Sequence, residues 1–265
     1  MEYNVSDMRA SDGSIIKFEC HKVLPSTSRL AKDYAKRGYP DRYVVFAESK
    51  SKDEKDKGGM LKEADRGIFM SCILRPSIFP SQASLISSLA AASLASALEA
   101  HTTKPIGIGW VSKIYCDGKM IGDIKIEGLL DDFKSYEYLV ITYSVSLSED
   151  NFPPILSDLV KKVFEEKNYS IPFIIAKDVL NNFFKYYVSV KKSTKFMTLY
   201  SQKFILRGKK IHYIDGGKKR VGRVLGIDMK NASLMIEDRK KQIVYLKTPN
   251  CVILPKKISI KDQRE

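Results

Sequence analysis

Apolar and polar positions along the chain change period several times. Residues 14–20 (SIIKFEC) alternate as a half-buried strand does. Pro25, Ser26, Thr27 and Ser28 then precede a segment in which Ala31, Tyr34 and Ala35 recur at helical spacing. That segment closes at Gly38, a residue able to take the left-handed conformation that ends helices. The hydroxyl of Ser26, Thr27 or Ser28 can cap this helix by accepting a backbone N–H bond. A short β-branched and aromatic strand is predicted over 43–47, and a buried-type strand over 68–74 (IFMSCIL). Residues 81–100 carry Leu85, Ile86, Leu89, Ala92, Leu94 and Ala97 among small residues. This pattern predicts a core helix lying close on a sheet. Three strands follow, over 106–116, 119–129 and 136–147, the first two joined by the tight turn Cys116-Asp117-Gly118-Lys119. Helices are predicted over 155–167 and 176–187.

Near residue 201 the pattern shortens. Strands are predicted over 210–214, 219–227, 232–236, 243–246 and 251–254, with the turn Asp215-Gly216-Gly217 between the first two. No helical period intervenes, which predicts a small SH3-like β-barrel. The fold class is therefore α+β: a mixed sheet with helices over 1–200, followed by a barrel over 201–265. Between Ser49 and Arg66 stand 11 charged residues, six basic and five acidic, around Gly58-Gly59, with almost nothing to bury. Residues 49–67 are predicted to be a mobile loop.

Composition narrows the functional classes. A chain of 265 residues with 44% hydrophobic content can bury one large core and one small one. The stretch 85–98 is diluted by serines and is too short to cross a bilayer. The N-terminus has no basic segment leading into an apolar run, so the expectation is a cytoplasmic protein with no membrane partner. Cys20, Cys72, Cys116 and Cys251 lie far apart, which predicts reduced thiols rather than a zinc site or a disulfide framework. His21, His101 and His212 are scattered, and no metal site is expected. The net charge is +14, and residues 201–265 hold 17 Lys and Arg against 6 Asp and Glu. This asymmetry implies either an acidic partner (protein, nucleotide or nucleic acid) or simply a solvated lysine-rich surface. In the nucleic-acid reading, Arg207, Lys209, Lys210, Lys218, Lys219, Arg220 and Arg223 form the cluster, with Tyr213 nearby.

Three segments carry a resemblance. Ser26-Thr27-Ser28, between a strand and a helix, resembles the "STN" element of biotin protein ligases. Residues 114–127 (IYCDGKMIGDIKIE) resemble the family's "D-x-x-x-x-G-K-K-I-G-G-I-L-I-E" hairpin. Residues 222–228 (GRVLGID) resemble its C-terminal "G-x-x-x-G-I-D" turn. Their order and spacing extend over residues 15–255. The resemblance implies a class II synthetase-like biotin/lipoate ligase domain followed by the SH3-like domain. It implies as cofactors biotin, ATP and Mg²⁺, and as partner an acidic carrier-protein domain bearing the lysine to be modified. A homodimer through the sheet would also fit.

The family's chemistry sets cations beside a reacting phosphate. This sequence departs where those cations belong. In place of the family's G-R-G-R-x-G-R loop, residues 49–59 (SKSKDEKDKGG) hold no arginine, and three acidic residues interrupt the lysines. Lysine lacks the planar fork that grips phosphate bidentately. In place of K-W-P-N-D stands Gly109-Trp110-Val111-Ser112-Lys113, which keeps the tryptophan and puts glycine at the lysine position. Read as one strand, it sets Lys113 about 13 Å along from Gly109. In place of G-I-G-I-N-V stands 142–147 (TYSVSL), where Tyr143 brings bulk, and Asp123 replaces the hairpin's second glycine.

The expectation is therefore a ligase-like protein with an eroded adenylation site, weakly active or inactive and acting as a ligand- or protein-binding module. A divergent active ligase is the alternative. Each candidate residue has two readings. Ser26 and Thr27 contact ligand or only cap the helix, and Trp110 is a ligand platform or core. Lys119 faces a carboxylate or phosphate, or is an exposed hairpin lysine. Gly122 admits a biotin ring or marks a bulge. Lys113 and Lys119 are the candidates to replace the missing lysine.

Overall fold

The structure, a computed structural model, describes residues 3–51, 66–147, 170–190, 195–247 and 252–253. The predicted helix over 155–167, most of the predicted loop over 49–67, and Cys251 lie outside the described residues. The fold is α+β, with an eight-stranded mixed sheet and a separate five-stranded antiparallel sheet.

The larger sheet contains β1 (Tyr3–Arg9), β2 (Ile15–Leu24), β3 (Tyr43–Lys50), β4 (Arg66–Leu74), β5 (Ile106–Gly109), β6 (Lys113–Cys116), β7 (Lys119–Leu130) and β8 (Tyr136–Ser146). Their order across it is β1-β2-β3-β4-β8-β7-β6-β5. Only β2 and β3 pair in parallel, and the crossover that such pairing requires is the helix α1 (Thr27–Lys36). Ser26 caps α1 by accepting from the Arg29 N–H at 3.2 Å, and Gly38 follows its end with φ +83°. Residues 49 and 50, expected in the loop, instead extend β3 alongside Val23 and Leu24.

Helices cover both faces. α1 lays Ala31 and Ala35 on one face, over Val45, Phe69, Ile73 and Val140. On the other face lie α2 (Ala83–Glu99) and α3 (Ile171–Tyr187). α2 is apolar nearly all round because it is enclosed by the sheet, by α3 and by α4 (Lys195–Gln202). α3 begins five residues before the expected start, with Pro172 in its first turn, where a missing N–H costs nothing. Neither α4 nor β1 was signalled by the hydrophobic pattern.

The smaller sheet holds β9 (Lys210–Asp215), β10 (Lys218–Ile227), β11 (Leu234–Glu237), β12 (Ile243–Leu246) and β13 (Val252–Ile253), in the order β12-β11-β10-β9-β13. Gly216 and Gly217 both have positive φ, as a two-residue hairpin turn demands. Residues 203–205 hydrogen-bond to Ile108 of β5, so the chain leaves the larger sheet only after Ile205, a few residues beyond the expected change at 201.

The expected single strand over 106–116 is interrupted. A turn at residues 110–112 folds it into the antiparallel pair β5–β6. Long-range bonds hold this turn: the Trp110 indole N–H donates to the Ala232 carbonyl at 3.1 Å, and the Tyr200 hydroxyl donates to the Val111 carbonyl at 3.2 Å. The correction matters for the site, because Gly109 and Lys113 are direct cross-strand partners. Their Cα atoms are about 5 Å apart rather than some 13 Å along one strand.

Candidate functional site

Cross-strand partners share a face, so the pairing lists which side chains look toward α1. On that face lie Ser71 of β4, Thr142 and Ser144 of β8, Asp123, Lys125 and Glu127 of β7, and Lys113 of β6. Two of these strands, β4 and β8, meet the N-terminus of α1 through a chain of buried hydroxyls. Ser71 Oγ donates to Thr27 Oγ1 at 2.9 Å and lies 3.0 Å from Thr142 Oγ1. Thr27 is thus engaged in the protein's own network, and Ser26 is engaged in the helix cap. Ser71 and Thr142 were not anticipated; Ser71 is signalled only as the one hydroxyl in the apolar run of β4, and Thr142 does not stand out among the several hydroxyls of β8.

Further along the same face, Lys113 Nζ bonds Asp123 Oδ2 at 2.9 Å. Both groups are partly shielded, with side chains 34% and 21% exposed. β6 ends its pairing with β7 here, so residues 125–130 of β7 pair only with β8 among the described residues. Along that open edge runs a cavity of about 950 Å³. Its walls are the start of α2 (Ser84, Ser87), the turn bearing Trp110 and Ser112, and Asn231, Ser233 and Lys247. Lys113 and Asp123 line it as well, so their ion pair lies where the cavity meets the face under α1.

Next to this pair, Glu127 ties β7 to α1. It accepts from Lys32 Nζ at 3.0 Å and from Ser28 Oγ at 3.2 Å. Burial pushes its carboxyl up, but Lys32, Ser28 and the field of Lys125 more than offset this, and the net shift is downward. A carboxylate with a depressed folded value stabilises the fold at pH above its unfolded value of about 4.3, and that contribution is lost as pH falls through the folded value. The stability difference between the wild type and Glu127→Gln, from urea titrations, is therefore expected to be present near pH 6 and to vanish near pH 3.

Other candidates stand elsewhere. Lys119 is exposed on the hairpin after Gly118 and is not part of the cavity wall. Gly122 is buried, and its neighbours are protein: a Cβ there would collide with the Ser144 carbonyl and come within 2.8 Å of Val145 Cα. The glycine serves close strand approach, and the bulge falls beside it at Ile121, which has no partner between the pairs Ile114–Gly122 and Tyr115–Met120. Trp110 is both core and wall, 2% exposed and bonded to Ala232. Tyr143 belongs to the opposite face, packed in the core under α2 and α3, so its bulk does not enter the α1 face. Cys72 and Cys116 are buried, and burial raises both thiols; Cys20, half-buried near Glu48 and Glu19, is pushed up to about 11. Among the described residues no group of three or more His, Cys, Asp or Glu could hold a metal ion.

Comparison with solved structures decides the fold. A mutant biotin protein ligase from Aquifex aeolicus, in complex with biotin, superposes with a TM-score of 0.66 at 18% identity, over 88% of this chain and 96% of that one. The chain has the fold of the biotin protein ligases. A biotin protein ligase-like protein of unknown function from Silicibacter superposes with a TM-score of 0.63 at 14% identity, over 88% and 94% of the two chains. In sequence, the chain is 27% identical over 159 residues to the bifunctional ligase/repressor BirA of Bacillus spizizenii. That match spans 56% of this chain and 46% of the curated relative, so less than half of that protein is covered. No protein-family model matches the chain. Within the biotin protein ligase fold, Ser26-Thr27 at the start of α1, Gly109 and Lys113 on adjoining strands, and Asp123 beside Lys113 share one sheet face, whereas Gly122 and Tyr143 turn to the other and residues 222–228 lie in or beside the smaller sheet.

Proposed function

We propose that this is a biotin protein ligase homologue whose reaction site has been rebuilt around an internal ion pair, leaving a binding module with weak or no adenylating activity. One observation carries the reading: Lys113, the cation standing opposite the glycine that replaces the family's lysine, is neutralised by Asp123 at 2.9 Å. A phosphate arriving there meets a carboxylate before it meets free positive charge, and Asp123 also fills space that a second glycine would leave open. The described residues therefore do not fit a biotinyl-adenylate at this point. Pyrophosphate release with biotin and MgATP is expected to run at least about a hundredfold below a working ligase, the usual loss when one transition-state contact is removed. Turnover equal to that of the working enzyme would refute the proposal.

A second reading has its own support. The register places Lys113 directly across from Gly109. A ligand able to displace Asp123 would then find an ammonium near the family's lysine position, and the chain would be a divergent ligase acting with biotin, ATP and Mg²⁺ on a lysine of a carrier-protein domain. Isothermal titration with biotin separates the readings. Micromolar binding that is lost in Lys113→Met supports the divergent ligase; no heat at high micromolar biotin ends it.

A further inference from the structure

The smaller sheet carries a charge that the fold does not use. Residues 201–247 contain 13 Lys and Arg against 4 Asp and Glu, a net charge of +9. All four acids are engaged locally. Asp215 pairs with Arg220 and Glu237 with Lys241, while Asp228 and Asp238 accept backbone N–H groups of their own turns. Lys210, Lys218 and Lys219 therefore have no acidic partner within ion-pair distance among the described residues, and the Arg223 guanidinium meets only the Gly208 carbonyl.

Their arrangement is specific. β9 and β10 form a hairpin that outruns its neighbour: β11 pairs with β10 only from Arg223 onward, so residues 218–222 pair with β9 alone on that side. On the outward face of this ribbon Lys210 stands directly opposite Arg223, and Lys219 stands opposite Ile214, with His212 between the two rungs. Like charges placed directly across an antiparallel pair repel. Here the Cα atoms of Lys210 and Arg223 lie about 5 Å apart across the ribbon, and those of Arg223 and Lys219 about 13 Å apart along it. Lys218 and Arg220 extend the positive charge to the tip. Tyr213 is fully buried and His212 is the one exposed ring of the hairpin, so the ribbon offers no more than a single imidazole for stacking bases.

We infer that this ribbon is a nucleic-acid contact that reads the phosphate backbone and not the base sequence. Three features favour a chain of phosphates over an acidic protein. Lys210, Lys218, Lys219 and Arg223 make no ion pair among the described residues and repeat along a two-stranded ribbon, whose width the major groove of duplex DNA admits. They are mostly lysines, which act on phosphate as point charges. Apart from His212 and Ile214, the exposed side chains of the protruding segment are charged. The activity is independent of the site under α1 and stands whether or not biotin is bound.

The test uses the full chain and fluorescence anisotropy with labelled 20-base-pair duplexes of two unrelated sequences. Binding is expected at low salt, equal for both sequences. The four unpaired cations at the phosphates give a log–log salt slope of about −3.6, from roughly 0.9 counterions released per phosphate. The triple variant Lys218→Glu, Lys219→Glu, Arg220→Glu changes only exposed groups. It is expected to weaken binding at least tenfold and flatten the slope, with an unchanged circular dichroism spectrum. The triple control Lys17→Glu, Lys22→Glu, Lys36→Glu, at exposed positions of β2 and α1, carries the same change in net charge and is expected to bind like wild type. No complex at 50 mM salt, an equal loss in the control, or binding to polyglutamate as tight as to duplex would overturn the inference. The last result would assign the ribbon to an acidic protein.

Discussion

Replacing Glu19 by alanine is expected to lower the thermal midpoint by roughly 10 °C, the largest effect of any single polar substitution in the larger sheet. Glu19 lies on β2, 3% exposed, and its carboxylate is an acceptor shared by three donors. His21 Nε2 lies 2.7 Å from Oε1, the Tyr34 hydroxyl 3.1 Å from the same oxygen, and the Tyr43 hydroxyl 2.6 Å from Oε2. Burial first, then the bond to Glu19 and its charge, raise the Tyr43 phenol, which keeps it a donor throughout the physiological range. Around this hub, Tyr34 stacks on Tyr39 at 4.2 Å between ring centroids, and both meet Tyr43 edge-on. Alanine would remove the acceptor and leave its donors facing an apolar void. Breaking one side of a buried charged network in this way costs about 3–5 kcal/mol. Glu19→Gln keeps the shape and one acceptor oxygen, and is expected to cost about 1–2 kcal/mol. Urea titrations of the two variants check the ordering. Equal stability of wild type and Glu19→Ala would mean that the tyrosines hold α1 to the sheet without the carboxylate.

The second large effect is a gain. Asp123→Gly is expected to free the Lys113 ammonium and to open the floor beside it. Removing a carboxylate 2.9 Å from a partly buried ammonium takes away competition for any incoming anion. In a partly shielded site, one charge-assisted hydrogen bond contributes about 1.5–3 kcal/mol, a change of roughly ten- to a hundredfold in affinity. Biotin affinity by isothermal titration is therefore expected to rise at least tenfold in Asp123→Gly and to fall back in the double variant Asp123→Gly, Lys113→Met. An unchanged affinity in Asp123→Gly would show that the ion pair is not what closes the site. The substitution adds backbone freedom to β7, so its stability is expected to drop slightly, by about 0.5–1 kcal/mol.

Much of this architecture is readable from short-range pattern. The turns at Asp117-Gly118 and Gly216-Gly217 were legible because positive φ is cheap only for such residues, and both pairs adopt it. α1 and α2 were legible because cap, period and length agreed. The break at residues 110–112 was not. Its sequence, from Ile106 to Cys116, is apolar and β-branched enough to run as one strand, and the bonds that fold it come from Tyr200 and Ala232, about 90 and 120 residues away. β1 was missed because its alternation is weak and its pairing with β2 supplies the order. α4 was missed because eight residues with three buried side chains give too few periods.

The site divides the same way. Ser26, Thr27, Gly122 and Trp110 were found through resemblance, yet their physical tasks are capping, hydroxyl bonding, strand approach and anchoring of a turn. The Lys113–Asp123 pair could not be seen in the sequence. It depends on the fold-back after Gly109 and on the bulge at Ile121, and shifting either by one residue would send the two side chains to opposite faces.

That alternation has an evolutionary corollary. From residue 123 onward, odd positions of β7 look toward α1, whereas Ile124 and Ile126 pack with the interior. Even positions of this stretch thus hold the interior, while Asp123 and Lys125 line the cavity and Glu127 ties the strand to α1. A library randomised at 123 and 125, with Glu127 kept, would vary the wall of the cavity while the core and the tie to α1 stand still.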